Sequence, residues 1–360
     1  MRPAGRWGLT LALLAALTAV SLSTQAWAQE PKRPSITARD AALLVWTSDN
    51  DAGDCGEECW GGYSLWTSAP QTSVFRRVLR QFSLTPPEIS PDQRWIVYAD
   101  WAPSEEPYDA DHIEIRVRPI LRWRPTPKLG RAQVVWTKTP LSALHMAWSP
   151  DSRSLAVLDN SRRRPTLTVV AVRTRVGRKL NTNCVPRSRD PNFGVRAVDW
   201  SSRGTIGFVS GTNAGDRATY RVTADGNRAC HVISAASEPI AIAWSPAGDR
   251  LLVSKSMGEE NDVLITVRSD GLDPRILRQA TADDPACDEI SCGFEAPTWS
   301  PDGASVAYLT QATNTVSLWP IGADGPHHGI TLRRLSVRLG GGRGTPAGLE
   351  RVIWLPKLPS

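Results

Sequence analysis

No stretch of this chain is apolar for long enough to cross a bilayer. The best candidate, Leu9 to Val20, is too short. It follows Arg2 and Arg6 and precedes Ala26-Trp27-Ala28, which places small residues where a signal peptidase reads. Residues 1–28 are therefore expected to be a secretory signal, leaving no transmembrane segment and an extracytoplasmic protein, in the periplasm or the medium. Cys-x-x-Cys spacing is also missing, and the 5 histidines show no metal-ligand spacing, which argues against a zinc site. Gly-x-Ser-x-Gly is absent, so the nucleophile elbow of a hydrolase-type peptidase is not expected. Charge of neither sign is concentrated. Lys and Arg total 42 against 36 Asp and Glu, and the basic residues are scattered apart from Arg162-Arg163-Arg164. A nucleic-acid partner would need them gathered into one stripe, so none is expected.

What is present describes a folded, exported chain. Hydrophobic content of 41% and charged content of 22% are those of a globular protein. The 6 cysteines suggest disulfides. Cys55 with Cys59 and Cys287 with Cys292 form close pairs in polar, turn-rich stretches, and by elimination Cys184 is left to meet Cys230.

One phrase recurs along the chain. Trp299-Ser300-Pro301-Asp302-Gly303 is echoed at Ile89-Ser90-Pro91-Asp92, at Trp148-Ser149-Pro150-Asp151, at Trp200-Ser201-Ser202-Arg203-Gly204 and at Trp244-Ser245-Pro246-Ala247-Gly248. A degraded copy, Trp354-Leu355-Pro356, lies near the C-terminus. A repeat of roughly fifty residues signals a repeat architecture. Alternating apolar stretches of strand length flank each copy, and the phrase itself has turn chemistry: Pro presets φ, Asp suits the next position, and Gly accepts a left-handed backbone. Gln93 and Ser152 stand where two copies lack that Gly. Each Trp is expected to pack its face between neighbouring units. Two further strands follow within each unit, so the fold is read as all-β: a six-bladed β-propeller of four-stranded antiparallel blades. A signal (1–28) and a lead-in (29–37) precede a single domain over 38–357, with blades starting near 86, 144, 196, 240 and 296. The closing strand, 350–356, is expected to complete the first blade and latch the ring.

The stretch from Thr298 through Trp299-Ser300-Pro301-Asp302-Gly303 to Tyr308 resembles the WD40-like repeat of the TolB propeller, and the resemblance covers nearly all of the mature chain. It implies the propeller portion alone. The same repeat occurs in the propellers of prolyl-oligopeptidase-type peptidases and in many exported proteins. It is informative about the blade and says little about function.

Candidate functional residues follow from where the loops point. The long connections, Ser48–Gly62, Asp100–Asp111, Cys184–Gly194, Asp283–Glu295 and Gly340–Glu350, all belong to one face, while the Ser-Pro-Asp-Gly turns trim the other. Trp60, Tyr63, Trp101 and Tyr108 sit in or beside the long loops, and aromatics on loops over a rigid scaffold make a recognition surface. Asp49, Asp51 and Asp54 surround Gly53 with oxygen donors and form a candidate calcium site; no other cofactor is expected. The inner strands read as mainly apolar and small, with Asp199 the one exception. Two functions stay open. The first is a monomeric, non-catalytic binding or scaffold module for a protein or other envelope partner. The second is a propeller enzyme of the polysaccharide lyase or hydrolase type, working from carboxylates and calcium at the central channel.

Overall fold

The computed structural model describes residues 41–49, 62–68, 76–102, 112–123, 127–138, 144–160, 164–190, 193–212, 217–234, 238–256, 262–280, 294–310, 315–321, 335–336 and 346–356. The signal and lead-in lie outside these residues. Among the described residues no helix is long and apolar enough to cross a membrane.

Among the described residues strands alone build the fold. The first sheet holds β1 (Ala41–Asp49), β2 (Gly62–Ser68) and β3 (Arg76–Phe82). The second runs from β4 (Glu88–Ile89) through β5 (Trp95–Trp101) and β6 (Ile113–Arg122) to β7 (Lys128–Leu129) and β8 (Gln133–Lys138). Next come β9 (Leu144–Trp148), β10 (Ser154–Asp159), β11 (Thr166–Ala171) and β12 (Val176–Lys179). They are followed by β13 (Gly194–Trp200), β14 (Thr205–Gly211), β15 (Ala218–Thr223) and β16 (His231–Ser234). Then come β17 (Glu238–Trp244), β18 (Arg250–Ser256), β19 (Val263–Arg268) and β20 (Arg275–Gln279). The last sheet contains β21 (Glu295–Trp299), β22 (Ser305–Thr310), β23 (Thr315–Pro320) and β24 (Leu335–Ser336). The C-terminal β25 (Pro346–Pro356) does not extend that sheet; it pairs antiparallel with β1, with Leu43 opposite Trp354 and Val45 opposite Val352.

The expected count of six four-stranded blades is corrected to five. Those five are β25-β1-β2-β3, β9–β12, β13–β16, β17–β20 and β21–β24. The segment from Glu88 to Lys138 forms an irregular five-stranded sheet instead. Its inner strand is cut to two residues, because Pro86 and Pro87 offer no N–H to a ladder. At its other side the long β6 carries β8 along its first half and β7 along its last residues, with a register break between Ile120 and Arg122. Pro119, within β6, and Pro127, just before β7, lie where the other blades have a single clean strand.

The apolar clusters lie between neighbouring sheets, and period-2 alternation explains why. On β10, Leu155 and Val157 face the Glu88–Lys138 sheet, while Ala156 and Leu158 face the β13–β16 blade. Trp148, Trp244, Trp299 and Trp354 are buried in these seams and Trp200 is half-buried against one. Two of the indoles also bridge neighbouring sheets by hydrogen bonds: Trp148 Nε1 donates to the Glu88 carbonyl at 3.3 Å and Trp299 Nε1 to the Ala243 carbonyl at 3.1 Å.

The recurring turn is held by its serine. Ser90, Ser149, Ser201, Ser245 and Ser300 are all buried. Ser90 Oγ donates to Asp92 at 2.6 Å and accepts from Trp95 N at 3.0 Å. Ser300 repeats this with Asp302 at 2.6 Å and Ser305 N at 2.9 Å. Pro91 and Pro246 are exposed at the corners, with Pro150 and Pro301 half-buried. Gly303 has φ 71°, and Gln93 and Ser152 both adopt φ 60° without a glycine's freedom. Ser152 has a second use, since its Oγ accepts Asp92 N from the neighbouring turn at 3.0 Å.

Candidate functional site

Six inner strands, β4, β9, β13, β17, β21 and β25, enclose a cavity of about 670 Å³. Position along them is set by the repeat. The residue just before each motif Trp, or before Ile89 where that Trp is missing, is Glu88, Ala147, Asp199, Ala243, Thr298 or Ile353. Two residues earlier stand Pro86, His145, Ala197, Ala241, Ala296 and Arg351. Most of these are small, which keeps the channel open. Polar groups enter at only a few of the positions, from different strands.

Breaks in the ladder add more. β13 pairs Val195 and Ala197 with the consecutive Ser210 and Val209, leaving Arg196 as an extra residue. β17 does the same at Ile240, and β21 is irregular between Glu295 and Thr298. Bulges re-aim side chains that strict alternation would send elsewhere. Arg196, Ile240 and Glu295 all line the cavity.

The charges are unevenly placed. Glu88 is buried and forms an ion pair with Arg351, joining the β4 sheet to the C-terminal strand. Asp199 accepts two main-chain N–H groups, from Trp200 at 2.8 Å and from Trp244 of the next blade at 2.6 Å. Burial, opposed by the Arg351 charge and reinforced by Asp199, pushes the Glu88 carboxyl up to about 7. Burial likewise pushes Asp199 up, against the pull of its two N–H donors and of Arg351. His145 is held down at about 4, chiefly by burial, with Arg351 and Arg196 adding to the effect and a hydrogen bond to the Val195 main chain opposing it. Among the described residues the channel thus presents a neutral imidazole, two guanidinium groups and three carboxyl groups, one of which titrates near neutrality. Such a wall can bind a polar ligand carrying both charge signs, and it can hold or release one proton. Among the described residues no cluster of three His, Cys, Asp or Glu is placed to hold a metal ion.

Reading the inner strands as apolar except for Asp199 is therefore corrected: Glu88, His145, Arg196, Glu295 and Arg351 share that wall. Glu88 escapes notice because its copy of the motif lacks the Trp, and Arg196 and Glu295 because bulges break the period of two. The candidate aromatics are differently placed. Tyr63 is half-buried on β2 against the cluster of Leu44 and Ile96, and Trp101 ends β5 half-buried against the cluster of Ile113 and Val135. Trp60, Tyr108, Asp51, Asp54, Cys55, Cys59, Cys287 and Cys292 lie outside the described residues, and Asp49 is the last residue of β1. Cys184 and Cys230 are bridged, with their Cα atoms 5.3 Å apart.

No protein-family model matches the sequence, and no curated protein matches it. Solved structures do. TolB from Acinetobacter baumannii is 15% identical, with 88% of this chain and 67% of that one covered and a TM-score of 0.56. A chain of the nidogen/laminin complex is 10% identical over 88% of this chain and 99% of its own, with a TM-score of 0.52. The periplasmic gluconolactonase of Pseudomonas aeruginosa is 14% identical over 89% of this chain and 86% of its own, with a TM-score of 0.50. At these identities the likeness is one of fold: a propeller shared by proteins whose names describe different activities.

Proposed function

We propose that this protein is an extracytoplasmic binding module that recognises a protein or other envelope partner at the long-loop end of its central channel. The observation that carries the reading is the convergence of Arg196, Glu295, His145 and Arg351 from four separate inner strands on one cavity. Convergent polar groups in an otherwise largely apolar channel are what orients a ligand. The disulfide fits an oxidising compartment outside the cytoplasm. The test is affinity capture from the native envelope with the wild-type chain and with Arg196→Glu, a residue exposed on the bulge. A partner retained by the wild type and lost from the variant supports the reading; the same capture by both overturns it.

A second reading has one observation of its own. Glu88, with its carboxyl raised to about 7, is suited to exchange a proton at neutral pH, as a general acid or base must. A propeller enzyme acting on a lactone or an acidic polysaccharide would turn over such a substrate and lose the activity in Glu88→Gln. Absence of turnover by the wild type on both substrate classes removes this reading.

A further inference from the structure

A second concave site lies away from the channel, at the edge of the β9–β12 blade. Arg164, Pro165 and Thr166 form one wall at the start of β11, and Lys179 and Leu180 form another at the end of β12. Thr182, Arg187 and Arg189 supply the rest from the loop that follows, around a volume of about 670 Å³. Among the described residues, four cationic side chains line this pocket and no Asp or Glu does; Asp190, the nearest acid in sequence, is not among the lining residues.

The loop bearing Arg187 and Arg189 is fixed in place. Cys184 within it is bridged to Cys230 at the start of the outer strand of the neighbouring blade. Val185 is fully buried, and Thr182 Oγ1 donates to the Pro165 carbonyl at 2.9 Å. Holding like charges close together is unfavourable without a counter-ion, so a fixed loop that gathers the exposed Arg187 and Arg189 beside Lys179 and Arg164 around one concavity favours an anion between them. Arg164 adds an independent sign. One of its terminal nitrogens donates to Asn183 Oδ1 at 2.5 Å, but its Nε is buried and has no hydrogen-bond partner. A buried guanidinium N–H left without an acceptor calls for one.

We propose that this pocket binds a soluble ligand carrying clustered phosphate groups, separately from whatever occupies the channel. Guanidinium forks match phosphate oxygens two at a time, and three of the four cations here are arginines. A concave wall fits a discrete ligand better than the flat surface of a membrane.

The probe is sodium tripolyphosphate, titrated into the full mature chain by calorimetry. Saturable binding that weakens with added salt is expected, with a loss of about tenfold or more in Arg187→Glu/Arg189→Glu. Lys179→Glu, on the opposite wall, should show the same loss. Arg173→Glu changes an exposed charge at the other end of the same blade and should leave binding intact. The proposal is overturned by absence of saturable binding, by an equal loss in Arg173→Glu, or by association with phosphatidylglycerol vesicles but not with tripolyphosphate. None of these outcomes depends on the channel's occupant.

Discussion

The Asp199 carboxylate reaches from its own strand to the main-chain N–H of Trp244 at 2.6 Å, across the seam between two blades. Its other oxygen accepts Trp200 N, so both are engaged by main chain. This makes Asp199 a structural tie as well as part of the channel wall. Asp199→Ala should lower unfolding free energy by about 2–3 kcal/mol, since hydrogen bonds to a charged acceptor are lost and a buried donor is stranded. Asp199→Asn, which keeps an acceptor, should cost less. Chemical denaturation of the two variants checks this, and equal stability of Asp199→Ala and wild type would refute the tie.

The channel also makes two opposed contributions to pH dependence. Glu88 rises from 4.5 to about 7 on folding, so its contribution to stability is full below pH 4.5 and is lost as pH climbs through 7. His145 falls from 6.5 to about 4, so its contribution is full above pH 6.5 and is lost as pH drops toward 4. The windows overlap and the slopes have opposite signs. Glu88→Gln should therefore leave stability rising with pH between 4 and 6.5, and His145→Gln should leave it falling between 4.5 and 7. Thermal melts across that range read the slopes directly; identical slopes in both variants would contradict the assignment.

Two glycines separate backbone strain from collision. Gly303 sits at φ 71°, and a Cβ there would meet nothing closer than Pro246 Cδ at 3.8 Å. Gly303→Ala should cost about 1 kcal/mol from conformation alone. At Gly271, φ is 88° and a Cβ would stand 2.6 Å from the Ile233 carbonyl oxygen in the adjoining blade. Gly271→Ala adds a main-chain clash to the same strain, so its melting temperature should fall clearly further.

The Cys184–Cys230 bridge closes a long loop, with a sequence separation of 46. Restriction of the unfolded chain by such a loop stabilises by about 2–4 kcal/mol. Cys184→Ser/Cys230→Ser should lose that amount in denaturant titrations under oxidising conditions. Hydrogen exchange should show the loss of order concentrated in residues 181–190.

The sequence made the strands and turns of this fold legible because the motif repeats chemistry that is locally decisive. A buried serine, a proline corner and a left-handed fourth position need no tertiary context to be recognised. What stayed hidden depends on register. Arg196 and Glu295 read as outward-facing until a bulge resets the alternation. Glu88 stands beside Ile89 instead of a tryptophan, behind two prolines that shorten its strand. The division of β6 between β7 and β8, which leaves five regular blades, arises from pairing partners that no local pattern specifies. The pocket edged by Arg164 and Arg187 joins residues far apart in the chain, whose approach is fixed by the bridge to Cys230 and by the hydrogen bond from Thr182 to the Pro165 carbonyl.

The pairing of β25 with β1 sets an order of events during synthesis. Leu43 and Val45 leave the ribosome long before their ladder partners Trp354 and Val352. Until then the leading sheet carries a bare edge, the kind of surface that recruits foreign strands. A chain truncated before Pro346 would keep that edge unpaired, and self-association of such a truncated chain is the expected consequence.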